Sequence, residues 1–436
     1  MPARSSRLAL ASLLTVALFF LFEYVARISP SLASTAMIAD LGLSRAEFGL
    51  FSSLFFWVYA PMQIVVGLAL DRWGARRFVL PAILSCSGGM MIVGAAPSAL
   101  WADLGRLLTG FGASFAFVSA LYVVNHWFAP QRFALLSGAV NAIGMLGTAM
   151  GAIWLTALIE AMGWRAVFTG TGIAGLAVLA LAVVGLRDAP GAGDRVTHRS
   201  VRGSVLGPLA VILRDAQVWR VAIVGALGYM PVTVYGALWG NGELMADHAL
   251  SAVRAETAVS MVFWGTAAGS VLWGAVSDRL GHRKWILAGG TLAAALAWSG
   301  VLFTAIGSVW AISALLFVAG LAGGVQMLSF AMAKEGQDRA RAGTVTAFVN
   351  AIAIAAALIF QPLVGAILDA TGGDYAAALA AVPICLALGA LLTLTLREPD
   401  TPHFRAHRAA RADRRAHRRA QRHARRNARH HAHRKG

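Results

Sequence analysis

Charge is what this chain has least of. Only 13% of its 436 residues are Asp, Glu, Lys or Arg, while 58% are hydrophobic and the mean hydropathy is +0.67. A soluble domain carries roughly 25% charged residues, so the bulk of this chain is not written for water. Cysteine is nearly absent as well. Cys86 and Cys385 fall inside apolar runs in opposite halves, which excludes a disulfide framework and a cysteine metal site. Strand-like alternation is missing between the apolar runs. The sequence also lacks a Gly-rich phosphate loop ending in Lys-Ser/Thr, a Gly-x-Ser-x-Gly and a His-Glu-x-x-His. ATP-driven work within the chain is thereby excluded, and neither enzymatic activity nor a cofactor is expected.

What the chain does have is long apolar segments. A membrane-crossing helix needs roughly 20 mostly apolar residues. Twelve segments qualify, at about 8–29, 47–70, 78–97, 101–124, 133–159, 166–186, 219–241, 255–277, 285–307, 310–333, 343–368 and 375–396. Arg4 and Arg7 before Leu8–Phe22 resemble a signal peptide taken alone, but the runs that follow make this segment the first of a set. The expected fold class is all-α integral membrane. Residues 187–218 are polar, with Gly-Ala-Gly and Gly-Pro, and read as a linker. The expected division is therefore 1–186 and 219–396 as two six-helix bundles, 187–218 as a cytoplasmic linker and 397–436 as a tail.

The net charge of +17 suggests nucleic acid until it is located. Residues 401–436 hold 13 Arg/Lys against one Asp, and they alternate Ala with Arg and His without an apolar face. The basicity belongs to a tail expected to be disordered and drawn to anionic lipid headgroups, so no nucleic-acid partner is expected. The other basic residues fix the orientation. With Arg4 and Arg7 inside, so are Arg76 and Arg77, Arg132, Arg195 to Arg214, Arg283 and Lys284, Lys334 and Arg341; Arg45, Arg165 and Arg254 are left outside. Both termini are expected in the cytoplasm of a bacterial cell, with the chain a monomer in the inner membrane.

Two stretches organise the rest. Gly67-Leu-Ala-Leu-Asp71-Arg72-Trp-Gly74-Ala-Arg76-Arg77 has a second copy, Gly274-Ala-Val-Ser-Asp278-Arg279-Leu-Gly281-His-Arg283-Lys284. The two aspartates are 207 residues apart, and Arg132-…-Val140-Asn141 recurs 209 residues on at Arg341-…-Val349-Asn350. Two landmarks with nearly one offset imply a duplicated half. The glycines let helices approach, the aspartates sit where they can face helix N-termini, and the basic pairs hold the loops at the membrane surface. This hairpin resembles that of the major facilitator superfamily, over nearly the full length of the chain. The resemblance implies two six-helix bundles related by an axis along the membrane normal, working by alternating access, with these hairpins as the cytoplasmic gate.

An ionisable residue within a span is costly and hence a candidate for function. Glu23 and Arg27 stand at i, i+4 on the first helix, beside Tyr24. They read either as a neutralised pair or as a substrate-carboxylate anchor (Arg27) with a proton carrier (Glu23). Arg106, in Arg-Leu-Leu-Thr-Gly110-Phe-Gly112, resembles a fourth-helix motif of the superfamily linked to proton coupling; a local salt bridge to Asp103 is the alternative. Tyr59 and Gln63, Asn141, Tyr229 and Tyr235, and Asn350 complete the expected substrate-binding set. The small residues of the fifth helix, Gly144, Gly147 and Gly151 among them, are expected to slide against the other half. Pro231 and Gly236 should loosen the seventh helix into a gate. The second half offers no charge to the middle of its spans, which places the ion chemistry in the first.

The Glu-Tyr…Arg-x-Ser-Pro-Ser opening and the Tyr-Ala-Pro-Met-Gln run resemble bacterial nutrient permeases related to phagosomal amino-acid transporters and, more distantly, to the lysosomal dipeptide carrier (major facilitator superfamily domain-containing protein 1). The expected function is proton-coupled uptake of a small polar, carboxylate-bearing metabolite such as an amino acid, dipeptide or organic acid; sugar phosphates fit the charged pair equally. A proton-coupled exporter of amphipathic compounds is the alternative. A non-transporting membrane sensor is the alternative from another class.

Overall fold

The computed structural model describes residues 3–128, 133–188, 211–304, 306–335 and 342–398. The basic tail beyond 398 and most of the expected linker lie outside the described residues, as do the side chains of Asp71, Arg72 and Asn141. The described residues are helical from end to end. In the first half these are α1 (Ala3–Leu32), α2 (Ser34–Leu41), α3 (Arg45–Trp73), α4 (Arg76–Ala95), α5 (Ala99–Ala113), α6 (Ala116–Trp127), α7 (Phe133–Met162) and α8 (Trp164–Gly185). In the second they are α9 (Ala216–Met230), α10 (Gly240–Asp247), α11 (Ala252–Leu280), α12 (Lys284–Phe303), α13 (Val309–Gly323), α14 (Met327–Glu335), α15 (Ala342–Ala370), α16 (Tyr375–Leu379) and α17 (Ala381–Thr393). Among the described residues ten helical stretches are long and apolar enough to cross a membrane. Helices α3 and α7 occupy the two remaining expected spans. Large side chains such as Trp154, Val184, Leu296 and Trp310 face outward, as a lipid-bathed surface requires, while Phe48, Phe55 and Trp298 fill the interior.

Local chemistry sets the breaks. Ser44 and Glu47 form a reciprocal cap that starts α3. Pro231 has no N–H to give the preceding turn, and the chain widens over Pro231–Trp239 into a π-helix in which the Gly240 N–H reaches back five residues to Tyr235 O. Gln361 on α15 donates from Nε2 to Thr233 O at 2.8 Å, and Trp239 donates from Nε1 to Gln361 O at 3.1 Å. The expected loosening of this segment takes that form, and α15 braces it.

The turns after the two Asp-Arg stretches share one end of the molecule, which is also where α1 begins. Gly74 and Gly281 hold φ of +83° and +72°, a left-handed backbone that disfavours any side chain. Gly67 and Gly274 differ from expectation: among the described residues a Cβ on either would meet nothing within 4 Å. Helix α7 packs against α11 of the other half as expected, while its Gly144, Gly147 and Gly151 face Phe20, Leu21, Tyr24 and Val25 on α1 of their own half. Small residues there make room for the large side chains of α1.

Each turn is tied down by an acid just past α8 or α17. Asp188 Oδ1 accepts from the N–H groups of Ala75 at 2.7 Å and Arg76 at 3.2 Å. Glu398 accepts from those of Arg283 and Lys284. The acids follow the same dipeptide, Leu186-Arg187 and Leu396-Arg397, 210 residues apart. Each satisfies the unpaired N–H groups at the start of a membrane helix. Asp188→Ala or Glu398→Ala should therefore cost about 1 kcal/mol in unfolding free energy, and Asp188→Asn, which keeps the acceptor oxygen, only a few tenths. Denaturation of the purified variants checks this. Arg283 binds Asp278 and Glu335, both at 2.8 Å. Burial opposes its charge, but the hydrogen bonds and fields of Glu335 and Asp278 outweigh that effect and raise its pKa.

The opposite end joins the halves. Asp369, ending α15, accepts from the N–H groups of Arg45 at 3.1 Å and Ala46 at 2.8 Å, the first two residues of α3. Gly49 and Gly365 let the two backbones touch, with Gln361 O against Gly49 and Arg45 O against Gly365. Phe48 meets Trp239 edge-on at 6.0 Å.

Candidate functional site

Helices α1, α3 and α5 converge on a buried charge cluster. Glu23 is fully buried and Arg27 is 9% exposed. One helical turn separates them, so the Arg27 fork reaches back to Glu23 Oε1 from both Nε, at 2.8 Å, and Nη2. Glu23 Oε2 has no hydrogen-bond partner among the described residues. Three aromatic faces enclose the guanidinium: Tyr24 at 4.6 Å, Tyr59 at 4.9 Å and Phe55 at 5.6 Å. Such faces hold a cation without neutralising it. Tyr24 is half-buried, as is Tyr229 on α9, which brings the second half within electrostatic reach of Glu23 and Arg27.

Arg106 supplies a second positive charge, 3% exposed and 4.7 Å from the centre of the Phe55 ring. Its donors go to backbone carbonyls of neighbouring helices rather than to Asp103: Ala26 O, Arg27 O and Ser52 O. Two guanidiniums and one carboxylate leave the cluster at net +1. In a low-dielectric interior such a surplus calls for an anion.

The other expected residues sit apart from this cluster to different degrees. Gln63 lies two turns below Phe55 and donates to Ser114 O at 3.4 Å, at the break between α5 and α6. Asn350 is half-buried on α15. Tyr235 is wholly buried in the second half, where it packs against Trp298 at 4.7 Å and donates to Glu243 Oε2 at 2.8 Å.

Buried charge in the second half escaped the sequence reading. Glu243 and Glu256 are each 3% exposed. Asn241 donates to Glu256 Oε2 at 3.0 Å. His248 faces Ile306 O from Nδ1 at 3.2 Å, and a carbonyl only accepts, so Nδ1 carries the hydrogen. Its Nε2 then faces Glu243 Oε1 at 3.6 Å. These carboxylates sit where α10 and α11 meet, beside a run of glycine and asparagine that looks like a loop in sequence. The signal that could have found them is the pairing of each acid with a polar residue inside an apolar stretch.

Comparison with known proteins points to one family. The family profile described as Major Facilitator Superfamily matches residues 11–239 and 221–430. The "probable sulfoacetate transporter SauU" of Cupriavidus necator is 26% identical over 205 residues, 47% of this chain and 48% of that protein, so this match spans about half the relative's length. The "probable nitrate/nitrite transporter NarK2" of Mycobacterium tuberculosis is 28% identical over 399 residues, covering 86% of this chain and 92% of the relative. Among solved structures, a bacterial homologue of the human lysosomal transporter Spinster, in an inward-facing and occupied conformation, superposes with a TM-score of 0.68 at 16% identity. The superposition covers 90% of this chain and 95% of that one.

Proposed function

Because the chain belongs to the Major Facilitator Superfamily, we propose that it is a secondary transporter that carries a small carboxylate, sulfonate or inorganic oxyanion by alternating access. The observation that carries this reading is the net +1 cluster of Glu23, Arg27 and Arg106 between α1, α3 and α5. The names of SauU and NarK2 support an anionic cargo. Arg27 is the anchor, since its planar fork matches a carboxylate or sulfonate. Tyr24, Tyr59 and Tyr229 line the place where the anion sits.

Glu23 and the anion compete for the same fork. While Glu23 is ionised, its Oε1 takes two of the Arg27 donors. A proton delivered to the unpaired Oε2 removes the carboxylate charge and weakens the bonds to Oε1, so that cargo can displace Glu23 from the fork. Proton and anion then travel together, and the site's charge stays constant through the cycle. The uneven distribution of Arg and Lys along the sequence supports both termini in the cytoplasm. The end latched by Asp369 is then the outer one, and the structure corresponds to a state closed to the outside. Residues 1–186 and 219–396 rock as two bundles about the cluster, joined by 187–218.

The test is anion influx into proteoliposomes under an imposed inward proton gradient. Wild-type protein should accumulate nitrate or sulfoacetate faster as the outside is acidified. Glu23→Gln should exchange the anion across the membrane with no response to the gradient. An unchanged gradient response in this variant would remove Glu23 from the coupling.

A further inference from the structure

Pro30 and Arg106 complement one another. In a regular helix residue 30 donates its N–H to the carbonyl of residue 26, and proline has none to give. A carbonyl left bare at membrane depth costs several kcal/mol unless a donor comes from elsewhere. The donor here comes from α5. Arg106 Nη1 stands 2.9 Å from Ala26 O, Nη2 stands 2.7 Å from Arg27 O, and Nε reaches Ser52 O on α3 at 3.4 Å. One guanidinium thus ties three helices together, at the residue whose side chain carries the anion-binding fork.

We propose that Arg106 is a positioning residue: it replaces the amide hydrogen that Pro30 lacks and fixes the backbone from which Arg27 presents its guanidinium. The proposal rests on the role assigned to Arg27 above and adds a claim about the α1 backbone. It also gives Arg106 a place other than proton coupling. All three of its described bonds run to carbonyl oxygens, which accept and never release a proton, and an arginine stays charged across the physiological range. The same arrangement explains why an arginine stands there. Only a planar, multi-donor group reaches two successive carbonyls of one helix and a third on another.

A double-substitution cycle on the full-length protein tests this. Arg106→Gln removes the charge and replaces the guanidinium fork by one shorter amide. Pro30→Ala restores an N–H to the Ala26 carbonyl and leaves charge unaltered. Arg106→Gln alone should lower the melting temperature and raise the KM for nitrate or sulfoacetate about tenfold, as expected for a lost charge-assisted bond. Its maximal rate should stay near that of the parent, and the pH profile is read in Arg106→Lys, which keeps the positive charge beside Glu23 and should match the parent. Adding Pro30→Ala should recover most of the lost melting temperature and part of the KM. Losses that simply add, or a displaced pH profile in Arg106→Lys, would overturn the proposal. If Arg106→Gln cannot be purified, Arg106→Lys alone enters the cycle, since lysine keeps the charge but lacks the planar fork that spans three carbonyls. If the parent protein carries neither anion, the cargo assignment fails, while the melting temperatures still decide the clamp.

Discussion

Uptake of the transported anion should fall about 100-fold or more when Arg27 is replaced by alanine. Two effects combine. The substitution removes the fork that faces the cargo, and it leaves the fully buried Glu23 carboxylate without its cation. Breaking one side of a buried pair costs roughly 3–5 kcal/mol. The carboxylate then keeps its proton, and the cluster loses its planar fork and its exchangeable site, with Arg106 left as its single charge. The two effects are separable. Adding Glu23→Gln to Arg27→Ala should restore stability, because a neutral amide needs no counter-charge, but should leave transport absent. Arg27→Lys keeps the charge and loses the planar fork, so it should retain weak uptake. Initial-rate influx and thermal denaturation of the same preparations distinguish these outcomes. Recovery of uptake in the double variant would mean that Arg27 only neutralises Glu23.

The second large effect is expected at Asp369. Its carboxylate covers the first two N–H groups of α3 from across the interface, where the helix dipole adds to the attraction. The Arg45–Asp369 ion pair itself, at 3.9 Å and open to solvent, adds little. Losing the cap should cost about 1–2 kcal/mol of closure, a factor of 5–30 in the ratio of closed to open molecules. Asp369→Ala should therefore populate a state opened at this end, and Asp369→Asn, with one acceptor oxygen, should fall between. Spin labels at Ala39→Cys and Thr371→Cys, both exposed, would report it as a second, longer distance. An unchanged distance distribution would show that the packing of Gly49 and Gly365 closes this end unaided.

Helical class, lipid-facing composition and the duplicated hairpin were legible because they rest on periodicity and repeats, which are local properties. The Glu23–Arg27 pair was legible for the same reason: i, i+4 spacing places two side chains on one face whatever surrounds them. Arg106 was not. Its nearest acid in sequence is Asp103, whereas its bonds run to carbonyls of α1 and α3, and backbone acceptors leave no mark in a sequence except through Pro30. The acids of the second half were hidden by their position. Glu243 and Glu256 stand near helix ends, where a carboxylate is ordinarily solvated, and only the packing of α10 on α11 buries them. Asp188 and Glu398 could have been found, since the Leu-Arg-acid repeat has nearly the offset of the hairpins, 210 residues against 207. Gly67 and Gly274 taught the converse, because a recurrent glycine need not mark a close approach among the described residues.

The central claim is that the cluster around Arg27 holds an anion. Ligand that binds only folded protein stabilises it by about 2.7 kcal/mol at a hundredfold excess over its Kd, so a melting-temperature titration reads binding directly. Nitrate, sulfoacetate and simple carboxylates should raise the melting temperature of the parent protein, their neutral amides should not, and Arg27→Ala should respond to none of them. Equal stabilisation by charged and neutral members, or a response that survives the loss of Arg27, would contradict the account.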